Sequence, residues 1–169
     1  MKKSEKPPLN VYIIMGNGGT RKSSIINALT GHHGRTRIYD IKFKGRTKTE
    51  KKVYIITQSL QEYTNNRMAP LAFINFINRE RTTNKFDYIL IPLLINSSLG
   101  SGQDYFNEFR NVGWNILRIE ISTINDNHLP DWIDNLPNHA INPFQQRNTE
   151  LLKPTNVIAA KIRKRWRWM

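Results

Sequence analysis

Hydrophobic residues along the chain alternate between short apolar runs and segments of helical period. The first run, VYIIM at residues 11–15, is flanked by turn formers and predicts a buried strand. After a glycine-rich turn, the segment RKSSIINALTG places Ile25, Ile26 and Leu29 at helical spacing, and Gly31 is suited to end the helix. The sequence therefore predicts a strand, a glycine loop and a helix in that order.

The next two apolar segments predict an antiparallel hairpin. RTRIYDIKFK at residues 35–44 alternates as a strand does, and KKVYIITQSL at residues 51–60 reads as a second strand. The polar loop GRTKTE between them is too short for a helical crossover, so the two strands are expected to run antiparallel. The tip of this hairpin would carry Arg46 and Lys48 into solvent.

The middle of the chain predicts alternating helices and strands. The segments are a helix at APLAFINFINRER, a central strand at FDYILIPLLI, a helix at GQDYFNEFRNV and a strand at NILRIEIS. This repeating order predicts an α/β fold in three layers, with a mainly parallel sheet of about five strands and helices on its faces. A length of 169 residues fits a single domain, expected at residues 11–169 after a flexible basic lead-in at residues 1–10.

The last third of the sequence predicts a long loop and a basic helix. Residues 125–143 are rich in Asn, Asp and Pro, which predicts a loop, either a lid or a long connection, with at most one helical turn near Trp132. Within residues 153–169, the segment PTNVIAAKIRKRWRWM predicts a basic C-terminal helix that begins at Pro154 or Thr155.

Composition narrows the classes of site and location. The chain has no cysteine, which excludes disulfides and thiolate metal sites, and its four histidines lack the spacing of a zinc site. Any metal is therefore expected to arrive with a nucleotide. The apolar run at residues 11–15 is too short for a signal peptide or a membrane span, so a cytoplasmic protein without a membrane partner is expected.

The charge of the chain is strongly positive and clustered. The formal net charge is +13, with 26 basic and 13 acidic residues, which favours either a polyanionic partner or a basic solvated surface. Eight basic residues lie between Arg35 and Lys52, and six lie from Lys153 onward without any acid. Aromatic residues interleave with both clusters, as in surfaces that contact phosphates and stack on bases. The expected contacts to DNA or RNA are Arg46, Lys48, Lys161, Arg163, Lys164, Arg165, Arg167 and Trp168. The alternative is that Trp166 packs in the core and the cations are solvated.

The glycine loop carries the pattern with the clearest chemistry. GNGGTRKS at residues 16–23 follows G-x-x-x-x-G-K-[ST], except that Arg21 replaces the second glycine. Glycines let backbone N–H groups approach a phosphate, and the helix N-terminus adds partial positive charge. Lys22 is expected to reach the β- and γ-phosphates, and Ser23 to complete the coordination of Mg²⁺. The expected nucleotide-binding set is Gly16, Asn17, Gly18, Gly19, Thr20, Arg21, Lys22, Ser23 and Ser24.

Arg21 is the departure from this pattern. If the loop needs a positive φ there, an arginine costs roughly 1 kcal/mol, which a folded domain tolerates. Its guanidinium would add a second cation beside the phosphates, so Lys22 and Arg21 are the candidate catalytic residues. The alternative is a glycine-rich turn between strand and helix that binds nothing.

Magnesium also needs a carboxylate, and the buried strand at residues 86–95 ends without one. The candidates are Asp40, Glu62 and Glu120. Glu62 is favoured because it follows the carboxyl end of a strand, where open α/β sheets bind ligands. Each of these acids can equally be a cross-strand ion-pair partner.

About the first 122 residues resemble the P-loop NTPase superfamily. They contain the glycine loop, the strand KVYIITQSLQE and the strand FDYILIPLL in this order. FDYILIPLL and YFNEFRNVGWNILRIEIS are most similar to its nucleotide-kinase-like branch, including phage-type deoxynucleoside monophosphate kinases. The sequence departs from the pattern of these kinases at two places. Arg21 replaces the second glycine of the loop, and Leu93, Leu94 and Ile95 stand where such kinases carry an acid or an arginine. NGGTRKS is also similar to partition-type ATPases, but Asn17 stands where those have a signature lysine.

The resemblance implies a protein that binds ATP or another NTP with Mg²⁺ and carries out phosphoryl transfer or slow NTP hydrolysis. In such a kinase, the C-terminal basic residues would neutralise the transferred phosphate. The alternative is a non-catalytic nucleic-acid-binding protein that retains the fold and uses the two basic clusters.

Overall fold

The computed structural model of the chain describes residues 6–31, 37–45, 49–62, 68–98, 100–124, 129–144, 146–147, 150–151 and 154–169. The strands are β1 Asn10–Gly16, β2 Arg37–Phe43, β3 Thr49–Ile55, β4 Tyr88–Leu94, β5 Asn115–Ile124, β6 His139–Phe144, β7 Gln146–Arg147 and β8 Glu150–Leu151. The helices are α1 Lys22–Thr30, α2 Pro70–Asn84, α3 Gly102–Asn111 and α4 Pro154–Trp166, with a 3₁₀ turn at Asp131–Asn135. None of these helices is both long and apolar enough to cross a bilayer.

Six strands form the main sheet, in the order β2-β3-β4-β1-β5-β6. Strands β3, β4, β1, β5 and β6 are parallel, and β2 is antiparallel to β3 at one edge. The predictions of an α/β fold, a mainly parallel sheet and an antiparallel hairpin are confirmed. The sheet has one strand more than expected, and β7 and β8 form a separate two-stranded ribbon.

Two hydrophobic cores cover the two faces of the sheet. Alternate residues of β1 belong to different cores, because successive side chains of a strand point to opposite faces. Tyr12 and Ile14 pack in the core that contains α1 and α4. Ile13 and Met15 pack in the core that contains α2 and α3. The sheet thus lies between two helical layers, which we call the α1/α4 face and the α2/α3 face.

The connection that follows β1 runs to the opposite face of the sheet from the connections that follow β4 and β5. The chain leaves β1 toward the α1/α4 face, whereas it leaves β4 through α3 on the other face. Ile133, in the connection after β5, also packs on the α2/α3 face. Open α/β sheets bind ligands at the carboxyl ends of strands where the connections diverge in this way. The loop that follows Gly16 lies at such a point.

The segment expected as a loop at residues 125–143 contains a strand. The predicted helical turn near Trp132 is present as Asp131–Asn135, but β6 begins at His139 and pairs with β5. The free edge of β5 supplies partners for a segment whose own composition does not predict a strand. At the other end of the chain, Leu9 is 1% exposed and its carbonyl accepts the Asn115 N–H, so residues 9 and 10 belong to the folded domain. Residues 1–5 of the expected lead-in lie outside the described residues.

The C-terminal segment ends on the edge of the hairpin. Helix α4 begins at Pro154, as predicted, and Trp168 then forms an antiparallel bridge with Phe43. The Lys44 N–H donates to the Arg167 carbonyl at 2.6 Å, and the Met169 N–H donates to the Lys42 carbonyl at 2.8 Å. Phe43 lies opposite Thr49, the first residue of β3, so this contact is at the amino ends of the parallel strands. It is the opposite end of the sheet from the glycine loop.

Candidate functional site

The backbone of the glycine loop adopts left-handed conformations at two positions. Gly19 has φ 75°, and Arg21, immediately before α1, has φ 56° and ψ 29°. Arg21 occupies the position of the second glycine in the phosphate-loop pattern, and a left-handed conformation costs a non-glycine residue roughly 1–2 kcal/mol. The expected positive φ is therefore present at this position, and an arginine adopts it.

Most N–H groups of the loop have no acceptor in the part of the chain that the structure describes. The Thr20 N–H donates to the Asn17 carbonyl at 3.4 Å. Among the described residues, no acceptor is found for the N–H groups of Gly18, Gly19, Arg21, Lys22 and Ser23. Free N–H groups around a turn that leads into a helix N-terminus form a concavity with partial positive charge. Such a concavity is suited to an anion.

The three glycines of the loop differ in why, or whether, their positions require glycine. A Cβ atom at Gly16 would lie 2.2 Å from Thr20 Oγ1 and 2.6 Å from the Ser122 carbonyl oxygen, so no side chain fits. Gly19 needs its glycine for the positive φ. A Cβ atom at Gly18 would meet nothing within 4 Å, and its φ is not positive. The space beside Gly18 is open.

Lys22 is a buried cation with spare hydrogen-bonding capacity. Its side chain is 5% exposed, and Nζ donates to the Asn17 carbonyl at 2.9 Å, which also accepts Thr20 Oγ1 at 2.7 Å. An ammonium has three donors, and the Asn17 carbonyl is the one acceptor recorded for it in the described residues. Burial lowers the pKa of Lys22 from its ordinary value of 10.5, while the negative charge of Glu62 acts in the opposite direction.

The Arg21 side chain connects the loop to the C-terminal helix. Its Nη1 donates to Thr155 Oγ1 at 3.5 Å, in the first turn of α4. The guanidinium is partly buried. The first turns of α1 and α4 are therefore neighbours on the α1/α4 face.

A buried glutamine fixes the segment that carries Glu62 beside the loop. Gln61 Nε2 donates to the Leu94 carbonyl at 3.0 Å, and Gln61 Oε1 accepts the Leu94 N–H at 2.9 Å. Leu94 is the register partner of Gly16, so this amide holds the end of β4 next to the loop. Sequence reasoning missed Gln61, because nothing local to it signals that its partner lies 33 residues away.

Two oxygen donors near the loop fit Mg²⁺. They are the half-buried Ser23 hydroxyl in the first turn of α1 and the exposed Glu62 carboxylate. Hard oxygen ligands of this kind suit Mg²⁺, which keeps several waters and is shared with substrate phosphates. In the described part of the chain, no group of three or more acidic or histidine side chains forms a metal cage. Ser23 and Glu62 therefore offer oxygen ligands that suit a hydrated ion.

The structure does not bring the other two candidate acids to the loop. Asp40 is exposed on β2, three strands from β1 or about 14 Å across the sheet, and it lies toward the amino ends of the parallel strands. Glu120 is 1% exposed and accepts hydrogen bonds from Arg165, Trp166 and Asn142. The prediction that Glu120 serves as a magnesium ligand is corrected, because its carboxylate is occupied inside the fold.

Three of the expected nucleic-acid contacts are likewise occupied. Arg165 forms an ion pair with Glu120, with Nη2 to Oε2 at 2.5 Å and Nε to Oε1 at 3.0 Å. Arg163 donates to the carbonyls of Ala28 and Leu29, which end α1. Trp168 is 6% exposed and packs on Tyr12 and Phe43, so it cannot stack on a base. The remaining described contacts, Lys161, Lys164 and Arg167, are exposed, whereas Arg46 and Lys48 lie outside the described residues.

Comparison with known proteins gives no relative. No protein-family model, no curated protein sequence and no solved structure matches the chain significantly. The chemistry of the site therefore rests on the geometry of this chain alone.

Proposed function

We propose that the protein binds a nucleoside triphosphate, with ATP as the leading candidate, together with Mg²⁺ at the loop formed by residues 16–24. The observation that carries this proposal is the set of loop N–H groups at the N-terminus of α1 for which the described residues offer no acceptor. A phosphate chain supplies acceptors for these groups and negative charge for the helix terminus. The resemblance of residues 16–23 to the phosphate-loop pattern points to the same ligand.

A loop that bound nothing would be costly in two ways. It would hold Arg21 in a left-handed conformation at roughly 1–2 kcal/mol, and it would bury the Lys22 ammonium with a single carbonyl partner among the described residues. Local strain of this kind concentrates at functional sites. A bound anion would account for both features, because it would pair with the buried ammonium and occupy the turn that the left-handed residues create.

In this proposal, each side chain has a separate role. Lys22 would move from the Asn17 carbonyl to the β- and γ-phosphate oxygens, and Arg21 would contribute a second positive charge. Ser23 and Glu62 would hold the hydrated Mg²⁺, directly or through its waters. Magnesium would supply charge neutralisation on the phosphate oxygens. The activity that follows is phosphoryl transfer or slow hydrolysis of the nucleotide.

Calorimetric titration tests the binding. We expect Lys22→Met to lower the affinity for MgATP at least tenfold, because a hydrogen bond to a charged group contributes about 1.5–3 kcal/mol. Arg79→Gln is the matched control, because it removes one exposed positive charge from α2 on the other face of the sheet. Thermal unfolding establishes that both variants are folded. Equal affinity of wild type and folded Lys22→Met for MgATP, and also for MgGTP, would reject the proposal.

Turnover is measured separately, as phosphate release from MgATP and as transfer to added nucleoside monophosphates. Phosphoryl transfer or hydrolysis by this site predicts that Lys22→Met abolishes the activity and Arg79→Gln preserves it. Activity that survives in Lys22→Met would belong to a contaminant or to another site.

A further inference from the structure

The amino ends of the parallel strands carry a second charged surface, far from the glycine loop. Backbone pairing of Trp168 with Phe43 brings the end of α4 against β2. The Lys44 N–H bonds the Arg167 carbonyl, and the Arg167 N–H bonds the Lys164 carbonyl at 3.4 Å. The end of the C-terminal segment therefore lies beside the hairpin. Lys42 does not face this segment, because Tyr39, Ile41 and Phe43 of β2 pack on the α1/α4 face and the alternate side chains of β2 point to the other face. We define the tail-hairpin surface as the exposed cations of the C-terminal segment, Lys161, Lys164 and Arg167.

All three side chains of this surface are exposed. Among the described residues, no ion pair involves any of them. No acid occurs from residue 154 to residue 169. The surface thus holds three cations, and the segment that carries them has no acid to neutralise them.

The surface is fixed to the core by the residues between its cations. Trp166 and Trp168 are 4% and 6% exposed, and their rings lie 4.5 and 5.1 Å from the Tyr12 ring. Glu120 is occupied by Arg165, so the buried acid does not neutralise the exposed cations. A rigid array of lysines and arginines loses little order on binding, which favours a polyanion of regular charge.

The burial of the aromatic residues decides the kind of polyanion. Single-stranded nucleic acids are held by stacking on exposed aromatic rings, and both tryptophans are unavailable for this. An amphipathic membrane-binding helix needs large apolar side chains facing outward, but the large apolar residues exposed on the C-terminal segment are only Val157 and Met169 in the described residues. Duplexes carry the densest phosphate charge and need no stacking. We propose that the tail-hairpin surface binds the phosphate backbone of duplex nucleic acid without reading its bases.

Counterion release sets the size of the effect. With three phosphate contacts, the logarithm of affinity for a duplex falls against the logarithm of salt with a slope of about −2.7. Removal of two contacts reduces the slope to about −0.9 and lowers the affinity about 60-fold at about 0.1 M salt. The base sequence of the duplex should have little effect on affinity, because phosphate contacts carry no base information.

The test is fluorescence anisotropy of a short labelled DNA duplex of mixed sequence, between about 50 and about 200 mM salt. The test variant is Lys164→Gln/Arg167→Asn. Asparagine is chosen because Arg167 has φ 57°, which asparagine tolerates. The matched control is Arg79→Gln/Lys85→Asn, which also removes one helical cation and one cation at positive φ, here φ 50° after α2.

The proposal requires the test variant to lose affinity and slope, and the control to keep both within about twofold of wild type. It is overturned if both double variants weaken binding equally, because net charge rather than this surface would then be responsible. Tighter binding of a matched single strand than of the duplex also overturns it, since that result indicates stacking. So does binding of phosphatidylserine vesicles without binding of the duplex.

Discussion

The two ends of the sheet use positive charge in opposite ways. At the carboxyl end, Lys22 is buried, the backbone is left-handed at Gly19 and Arg21, and several loop N–H groups have no acceptor among the residues that the structure describes. At the amino end, the backbone is paired and the aromatic residues are buried, while cations such as Lys164 and Arg167 project into solvent. The first arrangement fits one small anion held tightly, and the second fits an extended anion held by a few weak contacts. Burial and backbone geometry, rather than the number of cations, separate the two.

The same comparison explains why some cations serve neither end. Arg163 and Arg165 lie in the most basic stretch of the sequence, yet each contacts the fold itself. Arg163 binds the carbonyls that end α1, where a positive charge is favourable beside the helix C-terminus. Arg165 pairs with the buried Glu120. Both contribute to the packing of α4 on the sheet.

The largest effect is expected from Trp166→Ala, which breaks the anchor of the amino end. The indole is buried against Tyr12, and its Nε1 donates to Glu120 at 2.9 Å. Truncation of a buried tryptophan leaves a cavity and typically costs about 3–5 kcal/mol in the free energy of unfolding. Denaturant unfolding measures this loss. Lys164→Ala, two residues earlier on the exposed side of α4, should change the free energy by less than about 0.5 kcal/mol. Equal effects would mean that Trp166 does not anchor the segment.

The second prediction compares two glycines of the loop. Gly16→Ala places a methyl group against Thr20 Oγ1 and the Ser122 carbonyl, so the loop must shift. We expect a loss of about 1–3 kcal/mol in the free energy of unfolding, together with weaker MgATP binding. Gly18→Ala meets open space and should leave the free energy of unfolding within about 0.5 kcal/mol of wild type. A harmless Gly16→Ala would show that the close packing of the loop on β5 is unimportant.

The third prediction concerns pH. Burial lowers the pKa of Lys22, so the folded protein releases this proton at a lower pH than the unfolded chain does. Between that lowered pKa and 10.5, this group's contribution to stability therefore rises with pH, because neutralisation removes a buried charge. MgATP binding needs the ammonium and should weaken over the same window, by at most tenfold per pH unit. Titrations at a series of pH values measure the decline. It should be absent in Lys22→Met, and a decline that persists there would assign it to another group.

The smallest effect is expected from Arg21→Gly, which restores the glycine of the phosphate-loop pattern. Relief of the left-handed strain, at about 1–2 kcal/mol, is largely offset by the entropy of a new glycine, at about 0.5–1 kcal/mol. Stability should therefore change little, and a change in affinity reports on the guanidinium. We expect MgATP affinity to fall about threefold, the size of a partly exposed charge contact. A rise in affinity and turnover would show that Arg21 is only tolerated.

Features set by neighbours in sequence were predictable, and those set by distant partners were not. The strand, loop and helix from Asn10 to Thr30 followed from apolar spacing and glycines, and Gly31 ends α1 as predicted with φ 71°. The hairpin followed from the length of its loop. By contrast, β6 forms because β5 offers an edge, and Glu120 meets Arg165 from 45 positions away. The basic composition around Trp168 predicted an aromatic ring that faces solvent. In the fold the ring is buried against Tyr12, a residue distant in sequence.

Backbone amide NMR of a single labelled sample, titrated first with MgATP and then with a DNA duplex, tests most directly that the two ends are separate sites. MgATP should shift the amides of residues 16–24 and leave those of residues 42–44 and 164–169 unchanged. The duplex should shift the second group and leave the first unchanged, at salt low enough for binding. Shifts of the C-terminal amides by MgATP, with none in the loop, would contradict the assignment of the nucleotide to the loop.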